Sequence, residues 1–462
     1  METRAEQPAA AVVAPDPPRF RWLRRLLVFT VLWAVAMYGV WTWWLGGGKR
    51  RLHAEVDALR ARGEPVELAQ VRPTMPFDHR SAGPDVAAAA RMLTEFGRAR
   101  AITSGGNARR LPAEPSVDNS APRVAEIFNT AKRAATKPVG PLPSPLLTGM
   151  RELSEMLRAA AVRRQQLRHD RESVELIAAL LQQAEVTFVS GASVTFHQRG
   201  VETRAAAASA AMTIAPGLRI APQRSESSVT ADDVRDLIRR LLDESHMAAS
   251  FTRAWQAERV YRIYVAQAPV YARSPVVVYR HDMVRTIRQT TELVAASRGA
   301  SFPRKIVRDV TPPPPPQSAL DRWARAASNF HRDRAWSGAL FAHYGVLADS
   351  RAAAIHLAVK LYALDHGGQP PPTLDALVPA YLPAAPRDPF ADDGRAMSYR
   401  AGEQLVVVAT VGPNGSDAAA GVALDAIRPD RRRVTVRQTI GDDIVYPLVL
   451  PAGDATTAPS SR

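Results

Sequence analysis

From Leu26 to Leu45 the chain runs twenty residues without a charge, and the pattern is apolar on every side. As a helix this stretch rises roughly 30 Å, the thickness of a bilayer's hydrocarbon core. Arg19, Arg21, Arg24 and Arg25 precede it, and Lys49, Arg50 and Arg51 follow. Trp22 stands at one end and Trp41, Trp43 and Trp44 at the other, as interfacial aromatics do. A cleavable signal peptide needs a shorter apolar stretch and a small-residue cleavage site, which WTWWLGGGKRR does not offer. The pattern predicts an uncleaved transmembrane anchor over 26–45 behind a disordered cytoplasmic tail, 1–25, with the bulk of the chain extracytoplasmic. Gly46-Gly47-Gly48 reads as a flexible tether.

Beyond the tether the period becomes helical, with interruptions. A helix over 50–62 ends at Gly63 and Pro65, and a second pattern occupies 85–100. The stretch 101–145 is rich in Gly, Pro, Ser and Asn and holds one short helix near 124–135, so 49–145 reads as a helix and a proline-rich irregular region. The segment 146–300 is a helical domain. Leu153, Met156, Leu157, Leu167, Val174, Ile177, Leu180 and Leu181 space one long helix over 146–189, and an alanine-rich, closely packed helix covers 201–215. Thr230 and Asp233 form a capping-box variant opening a helix to 267, with Val234, Leu237, Ile238, Leu241, Leu242, Phe251 and Trp255 on one side. Another helix spans 276–296. Together these predict antiparallel hairpins in a bundle or a short solenoid. A proline-rich connector, 301–318, contains the extended run Pro312–Pro316. A helical stretch over 319–365 follows, with a break expected at Ser337-Gly338 or Gly345.

The segment 319–451 ends in a distinct pattern. Ile355, Val359, Leu361, Tyr362 and Leu364 mark a helix that His366-Gly367-Gly368 stops. A proline run, a short apolar turn and the tight Arg387-Asp388-Pro389-Phe390 come next. Two strand-like runs, 404–411 and 443–450, complete it, before a disordered tail, 452–462. The pieces LYALDHGGQPP, RDPF, SYR, VVVATVGPNGSD and GDDIVY resemble the globular part of the major pseudopilins of type II secretion. That resemblance implies a helix packed on a small antiparallel meander. It also implies calcium held by oxygens from two loops, here carrying Asp417, Asp442 and Asp443. In place of the family's glycine- and acid-rich loop stand Ala418-Ala419-Ala420 and an insert with Arg431-Arg432-Arg433. The aspartates either ligate calcium or satisfy turn amides, and the arginines are an alternative source of positive charge. Neither the glycine nor the glutamate of a pseudopilin's processed end accompanies Phe29-Thr30, so assembly into a fibre does not follow.

Composition changes the picture in three places. A chain of 462 residues, 46% hydrophobic, supports two or three folded units with sizeable cores. The absence of cysteine excludes disulfides, thiolate metal sites and cysteine nucleophiles. The net charge of +15 raises nucleic acid as a partner, but the arginines are scattered among acids and no nucleic-acid module surrounds them. A solvated basic surface is the reading that fits. There is no G-x-S-x-G elbow, H-E-x-x-H, P-loop or dinucleotide fingerprint. His169-Asp170 and His281-Asp282 are adjacent rather than facing, and His343 and His356 sit within helices. Glu258-Arg259, near Trp255, Tyr261 and Tyr264, is a candidate buried pair, either bracing the bundle or supplying a general acid.

The expected fold is mainly α with a small α+β C-terminal domain. An N-terminal transmembrane helix leads into a helical bundle or hairpin array, then a helix with an antiparallel meander. The expected role is that of a single-span envelope protein of the inner (cytoplasmic) membrane, non-enzymatic, acting in protein interaction or secretion-related assembly. The lipid bilayer and other envelope proteins are its expected partners. A membrane-anchored hydrolase with a site in the helical region is the alternative.

Overall fold

One helix, α1 (Pro18–Ala61), carries the apolar stretch and continues past it without a break. In this computed structural model, residues 18–71, 78, 80–103, 122–142, 149–223, 225, 227–267, 278–299, 301–304, 333–403, 405–417, 438–440 and 443–450 are described. Trp22–Val40 is long and apolar enough to cross a membrane, and none of it is buried against the protein. Helix was expected to yield to a tether at Gly46-Gly47-Gly48, yet α1 runs through them. Extending a helix adds a hydrogen bond per residue fixed, whereas nucleating a second one is costly, so three glycines between two strong helical segments stay helical.

Helices α2 (Gly83–Thr103), α3 (Pro122–Ala134), α4 (Met150–Gln166), α5 (Asp170–Ser190) and α6 (Val194–Ile214) follow. Next come α7 (Ala231–Leu242), α8 (Ser245–Gln267), α9 (Val278–Ala296) and the 33-residue α10 (Asp333–Asp365). Two helices expected to be continuous are broken. At 146–189 the chain turns back at Arg168, a non-glycine residue with φ of 69°. The His169 N–H bonds the Arg164 carbonyl there, closing α4 before α5 begins. The pattern over 231–267 divides at Asp243, whose extended backbone ends α7 and whose carboxylate accepts from the Ser245 N–H and hydroxyl to start α8. The capping box at the head of α7 is present: Asp233 N–H donates to the Thr230 hydroxyl at 3.2 Å, and the Thr230 N–H to the Asp233 carboxylate at 2.9 Å. Conversely, α10 passes through both expected breaks, Gly338 and Gly345. It ends where expected, with Gly367 and Gly368 at φ of 62° and 89° and the Gly368 N–H on the Ala363 carbonyl.

Packing follows side-chain size. Ala207, Ala208, Ala210 and Ala211 let α6 lie close to its neighbours α5, α4 and α10. Gly200 faces the ring of Phe188, where a Cβ would stand 2.4 Å from a ring carbon. At the C-terminal end, β1 (Ser398–Ala401), β2 (Leu405–Thr410), β3 (Gln438–Ile440) and β4 (Asp443–Val449) form an antiparallel sheet in the order β1-β2-β4-β3. Val408 stands opposite Tyr446 and Val406 opposite Leu448. These four enter the core with Ile355 and Val359 of α10, while Val407, Ala409 and Val445 form a small cluster on the opposite face. The same core continues through α10 and α6 back to α2, so the sheet shares its core with the helical region. A second core joins Leu52, Val56, Leu59 and Val66 to Ile263, Val265 and Ala266 of α8 and to Met283, Val284 and Ile287 of α9. The Pro312–Pro316 run and the arginine-bearing insert lie outside the described residues.

Candidate functional sites

The three aspartates of the expected calcium site are only partly described. Asp442 lies outside the described residues. Asp417, half-buried after the Gly412–Gly415 turn, has a carboxylate oxygen 3.6 Å from the Arg395 guanidinium. Asp443 is buried at the start of β4, opposite Ile440. No group of three or more metal-ligating side chains is assembled among the described residues. The Arg395 guanidinium supplies positive charge beside Asp417.

The carboxylate that organises this end is Asp388, in the Arg387-Asp388-Pro389-Phe390 turn. One of its oxygens accepts the Phe390 N–H and the other the Val411 N–H, both at 2.8 Å. Burial pushes its carboxyl above the ordinary range, against the pull of those two amides. Arg304 reaches the carbonyls of Phe390 and Pro413 and pairs with Asp392, and Arg351 donates to the Arg387 carbonyl while holding Glu244 with two bonds of 2.8 and 2.7 Å. These contacts make Asp388 a clasp between turn and sheet.

The helical region conceals two polar centres. His197 of α6 lies fully buried, its ring nitrogens 3.2 Å from the Ser250 hydroxyl and 3.1 Å from His343 Nδ1. His343 stacks on Phe251 with ring centroids 3.8 Å apart. Burial pushes the His197 imidazole down to about 3, and burial with the neighbouring His197, Arg351 and Arg204 holds His343 well below its ordinary value. The pair is neutral and sealed, which suits bracing of α6, α8 and α10. Arg204, also fully buried, ends α7 by donating to the carbonyls of Leu241 (2.7 Å) and Asp243 (2.8 Å). It also donates to the Ser350 hydroxyl and to Glu185, whose other oxygen meets His246 at 2.9 Å. Neither Arg204 nor His197 carried a signal in the sequence. Arg204 sits in the alanine-rich run 201–215, His197 falls between the two expected helices, and the partners of both come from distant helices.

The expected Glu258–Arg259 pair does not form. Residues adjacent on a helix diverge, so Arg259, fully buried, pairs instead with Glu64 beyond α1, while Glu258 pairs with Arg262 one turn on. Burial would raise the Glu64 carboxyl, but Arg259 and Arg62 hold it below its ordinary value. Together with Arg288–Glu55 at 3.0 Å, these contacts fasten α1 to α8 and α9. Elsewhere a groove of ≈ 380 Å³ runs between α4 and α6, lined by Arg151, Arg158, Arg199, Glu155 and Glu202 around Thr203. The Thr203 hydroxyl is held by Ser154 at 3.0 Å, and Arg158 and Arg199 are paired with the two glutamates.

No protein-family model, curated protein or solved structure matches this chain.

Proposed function

We propose that this chain is a single-span protein of the bacterial inner membrane, amino end in the cytoplasm, whose extracytoplasmic body serves in protein interaction or secretion-related assembly rather than in catalysis. The supporting observation is the fastening of α1 to α8 and α9 by a dedicated apolar cluster and two ion pairs. A body so fixed presents its surfaces at a set height and orientation relative to the span, as assembly with neighbouring envelope proteins requires. The pseudopilin-like C-terminal pattern supports the same setting.

The test has two parts. Alkaline carbonate should leave the protein in the membrane pellet, and protease added to spheroplasts should digest the bulk beyond Gly48. Solubilised gently, the wild-type chain should then migrate as an assembly larger than one chain with its micelle, and Leu59→Asp, which breaks the fastening, should release it. A wild-type chain that migrates alone rejects the interaction role. Recovery in the soluble fraction rejects the anchor, and full protection from protease rejects the orientation.

The groove between α4 and α6 supports a second reading, an anchored hydrolase acting on an anionic substrate held by Arg151 and its neighbours. Under that reading, turnover of a phosphate ester by the full chain should be lost in Arg151→Ala at an unchanged melting midpoint.

A further inference from the structure

The second core sets α1, α8 and α9 side by side, and its contacts give their relative heights. Arg288 of α9 is level with Glu55 of α1, 3.0 Å away. Met283, Val284 and Ile287 lie against Leu52, Val56 and Leu59. Arg259 of α8 meets Glu64 beyond the end of α1, while Ala266, farther along α8, joins Leu52 in the cluster, so α8 runs down α1 and α9 rises beside it. At about 1.5 Å per residue, the ten residues from Glu55 back to Leu45 and from Arg288 back to Val278 each cover roughly 15 Å. The start of α9 thus comes down to the end of the uncharged stretch. Helix α8 runs antiparallel to α9, pinned at the far end where the Ser297 hydroxyl donates to Thr252 at 2.9 Å. Counting equally from that contact along both helices places Tyr264 level with Arg285, and Gln267 one turn lower.

This end of the body has the chemistry of a membrane-facing surface. Tyr264 is 60% exposed and Tyr261, one turn above it, 43%. Arg50, Arg51 and Arg285 are exposed at the same end, and among the described residues no carboxylate pairs with any of them. Tyrosine seats its ring at the boundary of hydrocarbon and headgroup, and each arginine near an anionic leaflet contributes attraction within a Debye length. The headgroup layer beyond the hydrocarbon is roughly 5–8 Å deep, within side-chain reach of helices that descend this far.

We propose that the end of the α8–α9 pair nearest the span rests on the bilayer, Arg50, Arg51 and Arg285 gripping anionic lipid phosphates and the Tyr264 ring reaching down to the headgroups. This rests on the anchoring reading above. It adds a second, peripheral membrane contact, so that the body stands against the lipid rather than on a stalk.

The chain contains no cysteine, so one introduced thiol reports one place. The full chain is reconstituted into nanodiscs of phosphatidylcholine, with or without phosphatidylglycerol, containing lipids with a spin-labelled headgroup. A fluorophore is attached at Gln267→Cys on α8 or, as the distant control, at Arg239→Cys on α7, where the native side chain is 72% exposed. Quenching at 267 should exceed that at 239 severalfold and rise with phosphatidylglycerol. Combined Arg50→Glu, Arg51→Glu and Arg285→Glu should remove the rise while the protein remains in the disc. Equally weak quenching at 267 and 239 in incorporated protein overturns the contact. Strong quenching at 267 that ignores phosphatidylglycerol overturns the arginine grip, as does a protein partner being needed before quenching appears. A chain that fails to incorporate instead overturns the anchoring beneath the proposal.

Discussion

At the scale of single residues, the chain's chemistry is mostly hidden and neutral. His197, His343 and His356 are fully buried, and burial pushes His356 down to about 4 despite its bond to the Tyr446 carbonyl. The native state keeps these imidazoles unprotonated, whereas the unfolded chain takes up a proton near pH 6.5, so their contribution is present above that pH and is lost as pH falls. Between pH 7 and pH 5 each should remove about 2 kcal/mol of stability. His246 works the other way: its bond to Glu185 raises its pKa, so its smaller contribution is present at low pH and lost as pH rises. Urea midpoints at the two pH values should show the net loss, and equal midpoints would refute it. Replacing Arg204 by methionine strands Glu185 and the last carbonyls of α7, at a cost of about 3 kcal/mol or more. Methionine of similar length should not rescue the melting midpoint unless Glu185 is changed to glutamine as well. What was legible at this scale was what is local, such as the Thr230–Asp233 cap. Arg204 and His197 were not legible, because nothing in a one-dimensional pattern tells which distant carbonyl or ring will close over a polar side chain.

At the scale of elements, the apolar period located helices better than it located their ends. Arg168 adopts a left-handed turn that glycine would have announced, and polar Arg163–Gln166 fitted an uninterrupted helix as well as a terminating one. Gly338 and the three glycines of α1 announced breaks that packing and helical continuity overrode. The two longer, valine-bearing apolar strands were readable, while β1 and β3, four and three residues long, were too short to show a period. Thr230→Ala should cost about 1 kcal/mol through loss of the cap. Gly200→Ala forces a methyl into the Phe188 ring and should cost about 1–3 kcal/mol, with Phe188→Leu in the same chain recovering part of it. Both are read from thermal or denaturant unfolding of the body beyond the apolar stretch. Leu59, wholly buried between α1 and the α8–α9 pair, should cost about 3 kcal/mol when cut to alanine.

At the scale of the whole molecule, the C-terminal unit of α10 and the sheet shares its core with the helical region. One face of α10 meets β2 and the others are covered by α6 and α7, in one continuous core. A fragment beginning at Asp333 exposes those covered faces. It should melt without cooperativity or associate, whereas the body from Lys49 onward should unfold in one transition; a sharp, reversible melt of the fragment would refute the shared core. Of the candidate site, the arginine beside Asp417 was not legible, because Arg395 stands in neither of the two loops from which the calcium reading was drawn. The unbroken α1 has one more consequence. A span whose hydrophobic length exceeds the local bilayer thickness leans to fit, and one that falls short stands upright. With no hinge between span and body, that lean passes through the helix as through the shaft of a lever. Once Trp22–Val40 is set across a bilayer, every degree of its lean is inherited by the body fastened to α1, so membrane thickness would set the direction in which the protein points.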